Sequence, residues 1–193
     1  KKEDAKAKKE AAKAKKAAAP PAPAVAADRP IDFGWADVRV GVILDAKPHP
    51  DSSKLYVETI DLCEPSPRTV LSGLAEKMPL AKVTGARVVC ICNLGSRKMG
   101  GIESQAMVLC AASAEGVLDF IVPPDGAAAG ARVEVVGCSG EPEVAKRMGK
   151  KKAWESIMPE LRTDAAGIAT YRGTPLAVGG ASCTSSIAGG GIS

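Results

Sequence analysis

The sequence predicts a mainly β fold, a small closed barrel followed by a small α+β annex. Apolar runs of strand length recur between residues 38 and 136, separated by Pro-, Asp- and Gly-containing turns. Only residues 75–80 in this range have the pattern of a short helix. The composition then changes after Gly137, where residues 143–159 form a longer helical stretch. Short, irregular strands with one small helix among them are typical of a small closed barrel.

The predicted strands follow from local patterning. In the second run, Leu55 and Val57 alternate with Tyr56 and Glu58, as in a strand with one buried face. The run at 87–92 is almost continuously apolar and predicts a buried strand. Strands are expected at 38–44, 54–62, 69–72, 87–92, 104–110, 117–122 and 132–136, with a closing hairpin at 168–171 and 175–178.

Charge and composition divide the chain into three predicted parts. Residues 1–27 carry eight lysines against three carboxylates, and their low-complexity Lys/Ala/Pro sequence predicts a flexible tail and linker. Residues 28–193 hold 18 basic and 19 acidic groups, so any nucleic-acid contact must come from a local patch. We expect the barrel domain at 28–137 and the annex at 138–193, with a frayed Gly/Ser-rich end from 180.

The sequence makes several protein classes unexpected: membrane-spanning, secreted, metal-binding and enzymatic proteins. No apolar run approaches the ~20 residues of a membrane-spanning helix, and no signal peptide is visible. The six cysteines form no C-x-x-C pair and His49 is the only histidine, so we expect buried free thiols at Cys90 and Cys92 and no metal site. No Ser or Cys motif supplies an activated nucleophile, and no phosphate-binding loop is present; a pairing of a cysteine with His49 stays open, although nothing in the sequence orients one. The sequence therefore predicts a chain that is not an enzyme and needs no cofactor.

A local basic segment favours nucleic-acid binding. Arg97 and Lys98 lie in a loop flanked by glycines, and cations there could neutralise phosphates. Asn93 and Ser104 could donate to phosphate or ribose oxygens. The alternative is an ordinary solvated hairpin loop. A second group could extend the surface or be a solvated helix face; it comprises Lys146, Arg147, Lys150, Lys151 and Lys152.

Aromatic residues are too few for a typical reader of single strands. The chain has two Phe, two Trp and two Tyr, and we expect Phe33, Trp35, Phe120 and Trp154 to lie in the core. Single-strand binding proteins stack several bases on aromatic side chains. Recognition of a folded RNA through its backbone and shape is therefore the better prediction.

Several motifs in a fixed order resemble one family. Together they are similar to the tRNA-binding domain of the endothelial monocyte-activating polypeptide II type, over roughly residues 30–180. Relatives include the auxiliary protein of the multi-synthetase complex and C-terminal appendices of tyrosyl- and methionyl-tRNA synthetases. The motifs are DVRVGVI at 37–43, HPD at 49–51, KLYVE at 54–58, RTVLSGL at 68–74, NL at 93–94, KM at 98–99, SQAM at 104–107, GEP at 140–142, KKKAWE at 150–155, ATYRG at 169–173 and PL at 175–176.

The resemblance implies an OB-fold, a five-stranded β-barrel, with an annex that packs against it like a second subunit, so that the chain acts as a monomer. It implies non-catalytic binding of tRNA, delivered to or retained for an aminoacyl-tRNA synthetase in cis or in trans, in the cytoplasm. The partners implied are tRNA, a synthetase or the multi-synthetase complex, and no membrane. The contacts carried over are Lys54, Asn93, Lys98, Ser104 and Met107; we add Arg97 for its charge and position.

The chain departs from the family pattern in the basic loop. The family usually has Lys-Met-Arg-Gly where this chain has Lys98-Met99-Gly100-Gly101, and often Lys-Pro at Gly95-Ser96. Two alternatives therefore stay open. One is a protein–protein scaffold of a synthetase complex, and the other is a released cytokine-like fragment, an activity the family associates with the region of residues 39–43.

Overall fold

Five antiparallel strands form a curved sheet that nearly closes into a barrel. A computed structural model describes residues 29–193; the predicted tail at 1–27 lies outside this range. The strands of the first part are β1 Val38–His49, β2 Ser52–Asp61, β3 Arg68–Ser72, β4 Arg87–Ile91, β5 Arg97–Met99, β6 Ile102–Ser104, β7 Met107–Val108, β8 Cys110–Ala112 and β9 Leu118–Phe120. The order of strands in the barrel sheet is β3-β2-β1-β4-β7.

The barrel closes between β3 and the segment that joins β6 to β7. The Leu71 amide donates to the Ser104 hydroxyl over 2.9 Å. The Gln105 amide donates to the Thr69 carbonyl, and the Thr69 amide donates to the Gln105 side chain, both over 2.9 Å. These bonds satisfy backbone groups that an open sheet edge would expose. The fold class predicted from the sequence, mainly β with an OB-like five-stranded barrel, is confirmed.

A buried acid lies among the mostly apolar side chains of the barrel interior. Glu58 on β2 is 0% exposed. The Ser72 hydroxyl donates to one of its carboxylate oxygens, whereas the other has no hydrogen-bond partner within residues 29–193. Burial raises the pKa of Glu58 to about 7, although the bond from Ser72 opposes the shift.

The buried acid predicts that stability falls as pH rises. Because the pKa is higher in the folded state than in the unfolded state, protonation stabilises the fold fully below about pH 4.5, and this contribution is lost through pH 7. From pH 5 to 8, the free energy of unfolding should fall by about 2–3 kcal/mol more in the wild type than in Glu58→Gln. Urea denaturation at each pH measures the difference. Parallel pH profiles for the two proteins would show that Glu58 is already ionised.

The C-terminal part packs on the outer face of the barrel. Alternate residues of β4 enter two cores, so that Cys90 faces the barrel interior while Val89 and Ile91 face outward. The outer core also contains Trp154 and Leu176 from the C-terminal part. The remaining elements are β10 Glu134–Val135, α2 Ala145–Lys150, α3 Ala153–Ile157, β11 Leu161–Thr163, β12 Ala169–Tyr171, β13 Thr174–Val178, β14 Ala181–Ser182 and β15 Gly191–Ile192, with α1 Leu80–Val83 in the barrel part and 3₁₀ helices Phe33–Trp35 and Met158–Glu160.

Both predicted helices differ from the structure. The helix expected at 75–80 is a single turn, in which the Met78 amide donates to the Leu74 carbonyl, and α1 begins only after Pro79. Proline disfavours helical geometry at the residue before it, here Met78, so the turn does not continue. The helix expected at 143–159 is two short helices, because Lys152 adopts a left-handed conformation with φ of 49°.

The strand boundaries and the C-terminus also differ. The strand expected at 104–110 is divided into the end of β6, then β7 and the start of β8, which pair with different neighbours. The frayed end expected from 180 is wrong: β15 pairs with both β8 and β11, and Ile192 is 2% exposed. The buried free thiols expected at Cys90 and Cys92 are confirmed.

Across residues 29–193, helices are short, and none has the length and apolar character needed to cross a bilayer.

Candidate nucleic-acid interface

A two-stranded hairpin carries the basic loop predicted from the sequence. It consists of β5 and β6, inserted between barrel strands β4 and β7. Side chains alternate along a strand, so Arg97 and Met99 share one face while Lys98 lies on the other. Lys98 stands opposite Glu103 in the hairpin register. The two cations, adjacent in sequence, therefore face different directions.

The hairpin turn packs against the turn between β1 and β2. Gly100 has a φ of 57°, and a Cβ added there would overlap the imidazole of His49. His49 is 4% exposed, and the Asp51 amide donates to its Nδ1 over 3.0 Å. Its Nε2 has no hydrogen-bond partner in the part of the chain that the structure describes. His49 is thus a packing residue of the turn. Glycine at position 100, where the family usually has arginine, lets the two turns pack together.

A groove of about 560 Å³ runs between this hairpin and the C-terminal part. Arg97, Ser104 and Met107, all predicted site residues, line its barrel side. Trp154 and Met158 line the opposite side. The structure therefore brings three of the six predicted contact residues together, with a wall that the sequence did not predict.

Asn93 lies behind the hairpin and is fully engaged within the protein. Its Oδ1 accepts from the Asp37 amide over 2.9 Å. Its Nδ2 donates to the carbonyls of Trp35 and Glu143 over 2.9 and 2.8 Å. At 9% exposure, the side chain is largely buried, and its hydrogen bonds join three chain segments.

Ser104 and Lys54 occupy very different environments. Ser104 is 5% exposed; its hydroxyl accepts from the Leu71 amide and donates to the Ala106 carbonyl. Lys54 is exposed on β2, which is separated from β6 by β3. Met107 is half-buried and lines the groove.

The second basic group sits at the junction of α2 and α3. Lys146 and the three lysines at 150–152 are exposed. Arg147 differs, because its guanidinium lies 4.9 Å from the ring centroid of Trp35 and 3.3 Å from a carboxylate oxygen of Glu143. A cation over an indole ring stabilises packing. Arg147 therefore fixes α2 to the barrel, and only lysines of this group face outward.

Other arginines near the hairpin are neutralised by acids. Arg39 makes two 2.8 Å bonds to Asp37. Arg68 makes two bonds to Glu64, of 2.8 and 2.7 Å, and donates to the Cys92 and Gln105 carbonyls. The bond from Arg68 lowers the pKa of Glu64. These two arginines are paired with acids of the fold, whereas Arg97, Lys98 and the four lysines of the second basic group are exposed.

The C-terminal wall of the groove was missed because it depends on a long-range contact. Trp154 was expected in the core, and it is 9% exposed; its remaining surface lines the groove together with Glu155. The available signal in the sequence was that Trp154 and Glu155 lie within three positions of the lysines at 150–152. Spacing along the chain could not show that α3 lies opposite β5.

Comparison with known proteins gives a consistent result. A family model described as "Putative tRNA binding domain" matches residues 38–132, which contain the barrel and the hairpin. The chain is 46% identical over 153 residues to mouse "Aminoacyl tRNA synthase complex-interacting multifunctional protein 1", covering 79% of this chain and 48% of that protein. It is 42% identical over 156 residues to the Caenorhabditis elegans "Methionine--tRNA ligase, cytoplasmic", covering 81% of this chain and 17% of that protein.

A solved structure shares nearly the whole fold. It is the C-terminal domain of Plasmodium vivax p43, with a TM-score of 0.79 and 26% identity, covering 85% of this chain and 100% of that domain. The likeness extends beyond the matched family region into the C-terminal part. The chain spans about half, or less, of the length of the curated relatives named here.

Proposed function

Because residues 38–132 belong to this tRNA binding domain family, we propose that the chain binds tRNA without catalysing a reaction and delivers or retains it for an aminoacyl-tRNA synthetase. The observation that carries the proposal is the match across the whole barrel, which includes the exposed hairpin with Arg97 and Lys98. The relatives support the link to synthetases, since one is a tRNA ligase and another is named for interaction with a synthase complex.

In this proposal the exposed cations contact phosphates, and the buried polar groups hold those cations in position. Arg97, Lys98 and Lys54 are exposed and can neutralise phosphates without breaking internal bonds. Asn93 and Ser104 hold the hairpin in place, and Met107 forms part of the groove floor. The exposed lysines at 146 and 150–152 extend the surface. A tail of eight lysines would add sequence-independent attraction.

The proposal extends to the state and location of the protein. We infer that the chain acts as a monomer, because the C-terminal part already covers the outer face of β1 and β4 that a second subunit could occupy. We also infer a cytoplasmic location, in keeping with the name of the C. elegans relative.

A scaffold of a synthetase complex is the second candidate. The near-neutral composition of residues 28–193 and the missing loop cation at Gly100 favour it. A released cytokine-like fragment is weaker on structural grounds. The region of residues 39–43 lies in β1 between β2 and β4, and Val40 and Ile43 are 0% exposed. A receptor could reach Ile43 only if the barrel opened, and Val40 only if the C-terminal part left the outer face of the barrel.

Equilibrium binding of tRNA across a salt series tests the proposal. The whole chain and residues 28–193 should both bind folded tRNA, with affinity that falls steeply as salt rises, because released counterions drive the association. The shorter chain should keep a slope corresponding to several phosphates and should prefer tRNA to single strands. If residues 28–193 ignore tRNA but retain a synthetase after nuclease treatment, the scaffold function replaces this one.

A further inference from the structure

The groove between the hairpin and α3 is chemically unlike the basic surface around it. Its floor is made of apolar and polarisable side chains, namely Leu94, Met99, Met107, Trp154 and Met158. Its volume of about 560 Å³ falls in the range of sites that enclose a small organic group. A site built only to neutralise phosphates needs no such floor.

The rim of the groove carries charges of both signs. Arg97 lies on the barrel side and Glu155 on the side of α3. The exposed lysines at 150–152 directly precede α3. An occupant that fits must therefore be apolar and flat in its centre, anionic at its edges, and able to donate a hydrogen bond to a carboxylate.

An unstacked adenosine, guanosine or cytidine nucleotide has these three properties. Its base has a π-face that packs against thioethers and an indole edge. Its flanking phosphates suit Arg97 and the lysines, and its exocyclic amino group can donate to Glu155, as cytosine N4 donates to acidic side chains. A protein helix would offer an apolar face but no regular anions for the cations on both sides.

We propose that the groove binds one unpaired nucleotide of a folded RNA, with its base on the Met107–Met158 floor and its amino group at Glu155. The inference rests on the proposed tRNA binding and adds a base-binding site to it. The C-terminal part then has a direct role in recognition besides its packing role. Unpaired bases that leave the stack are the features of RNA most accessible to side chains.

The charge of Glu155 makes the test decisive. If no base enters the groove, Glu155→Gln only removes a negative charge beside bound phosphates, so affinity for every RNA should rise slightly. If a base amino group is bound there, affinity for tRNA should fall about threefold to tenfold, while affinity for a blunt-ended RNA duplex with the same number of phosphates should not fall. Met158→Ala should weaken tRNA binding about tenfold, as expected for loss of a packing surface for a base.

Glu160→Gln is the matched control. It removes an exposed carboxylate from the adjacent 3₁₀ helix, outside the groove, and should not lower the affinity for either RNA. Glu155 is also exposed, so its variant should fold even if Met158→Ala does not. Stronger binding of both RNAs by Glu155→Gln overturns the base site but leaves tRNA binding intact.

Two further outcomes would also overturn the inference. If the wild type binds neither tRNA nor duplex, the proposed function fails and the base site fails with it. If Met158→Ala keeps full tRNA affinity but loses a purified synthetase, the groove is a protein-docking site. A fall in tRNA affinity alone, with duplex affinity kept, supports the inference.

Discussion

Replacing Asn93 with alanine should lower the free energy of unfolding by about 3–4 kcal/mol. The substitution removes three hydrogen bonds, to the Asp37 amide and to the carbonyls of Trp35 and Glu143. It also leaves these backbone groups buried without that partner, and each such group costs about 1–3 kcal/mol when unsatisfied. Chemical denaturation at fixed pH measures the change.

A surface amide provides the control for Asn93. Gln105 also accepts from a backbone amide, that of Thr69, but it is exposed, so Gln105→Ala should cost less than about 1 kcal/mol because water replaces the lost partner. Under conditions in which Asn93→Ala stays folded, its tRNA affinity should match the wild type. A reduced affinity without loss of stability would mean that Asn93 contacts RNA directly.

Replacing Arg97 and Lys98 together with alanine should weaken tRNA binding by on the order of 30-fold near physiological salt. Each lost phosphate contact removes about 0.9 from the slope of log affinity against log salt, so the double variant should lose nearly 2. The loss should be similar for all tRNAs, because phosphate contacts carry no sequence information. Binding isotherms at four or more salt concentrations measure both quantities.

The single variants Arg97→Ala and Lys98→Ala, and a control double variant that removes the same charge elsewhere, complete that experiment. Arg97 faces the groove and Lys98 the other side of the hairpin, so the separate losses should add if both contact phosphates. Lys77→Ala with Arg162→Ala removes the same charge from exposed positions outside the hairpin and should change the slope less. Equal slopes for the two double variants would mean that only total charge matters.

Local patterning was enough to predict the barrel. Alternation along β2 and the apolar run of β4 are properties of neighbouring residues, and both strands lie close to the predicted positions. The burial of the outer face of β4 under the C-terminal part could not be predicted in this way. The run from Val88 to Cys92 is apolar throughout, so its pattern does not show what covers either face. The OB-like form came from the family resemblance.

The candidate site was predicted in composition but only partly in geometry. Arg97, from the predicted basic loop, and Met107, from the strand expected at 104–110, line the same groove. Asn93 was predicted as a donor to RNA, yet its partners include Glu143, fifty positions along the chain. The left-handed Lys152 redirects α3, and nothing in a run of lysines indicates where such a break will occur.

The last strand links folding of the two parts of the molecule. β15 supplies the neighbour of β8, beside the barrel, and of β11 in the C-terminal part. The amide and carbonyl of Ser193 bond to Cys110, over 3.0 and 2.9 Å. During translation, β8 can gain this partner only after residues 191–193 have emerged from the ribosome. The nascent barrel therefore exposes an open edge and its outer apolar face until synthesis reaches this point, an interval in which a chaperone or a second nascent chain could bind.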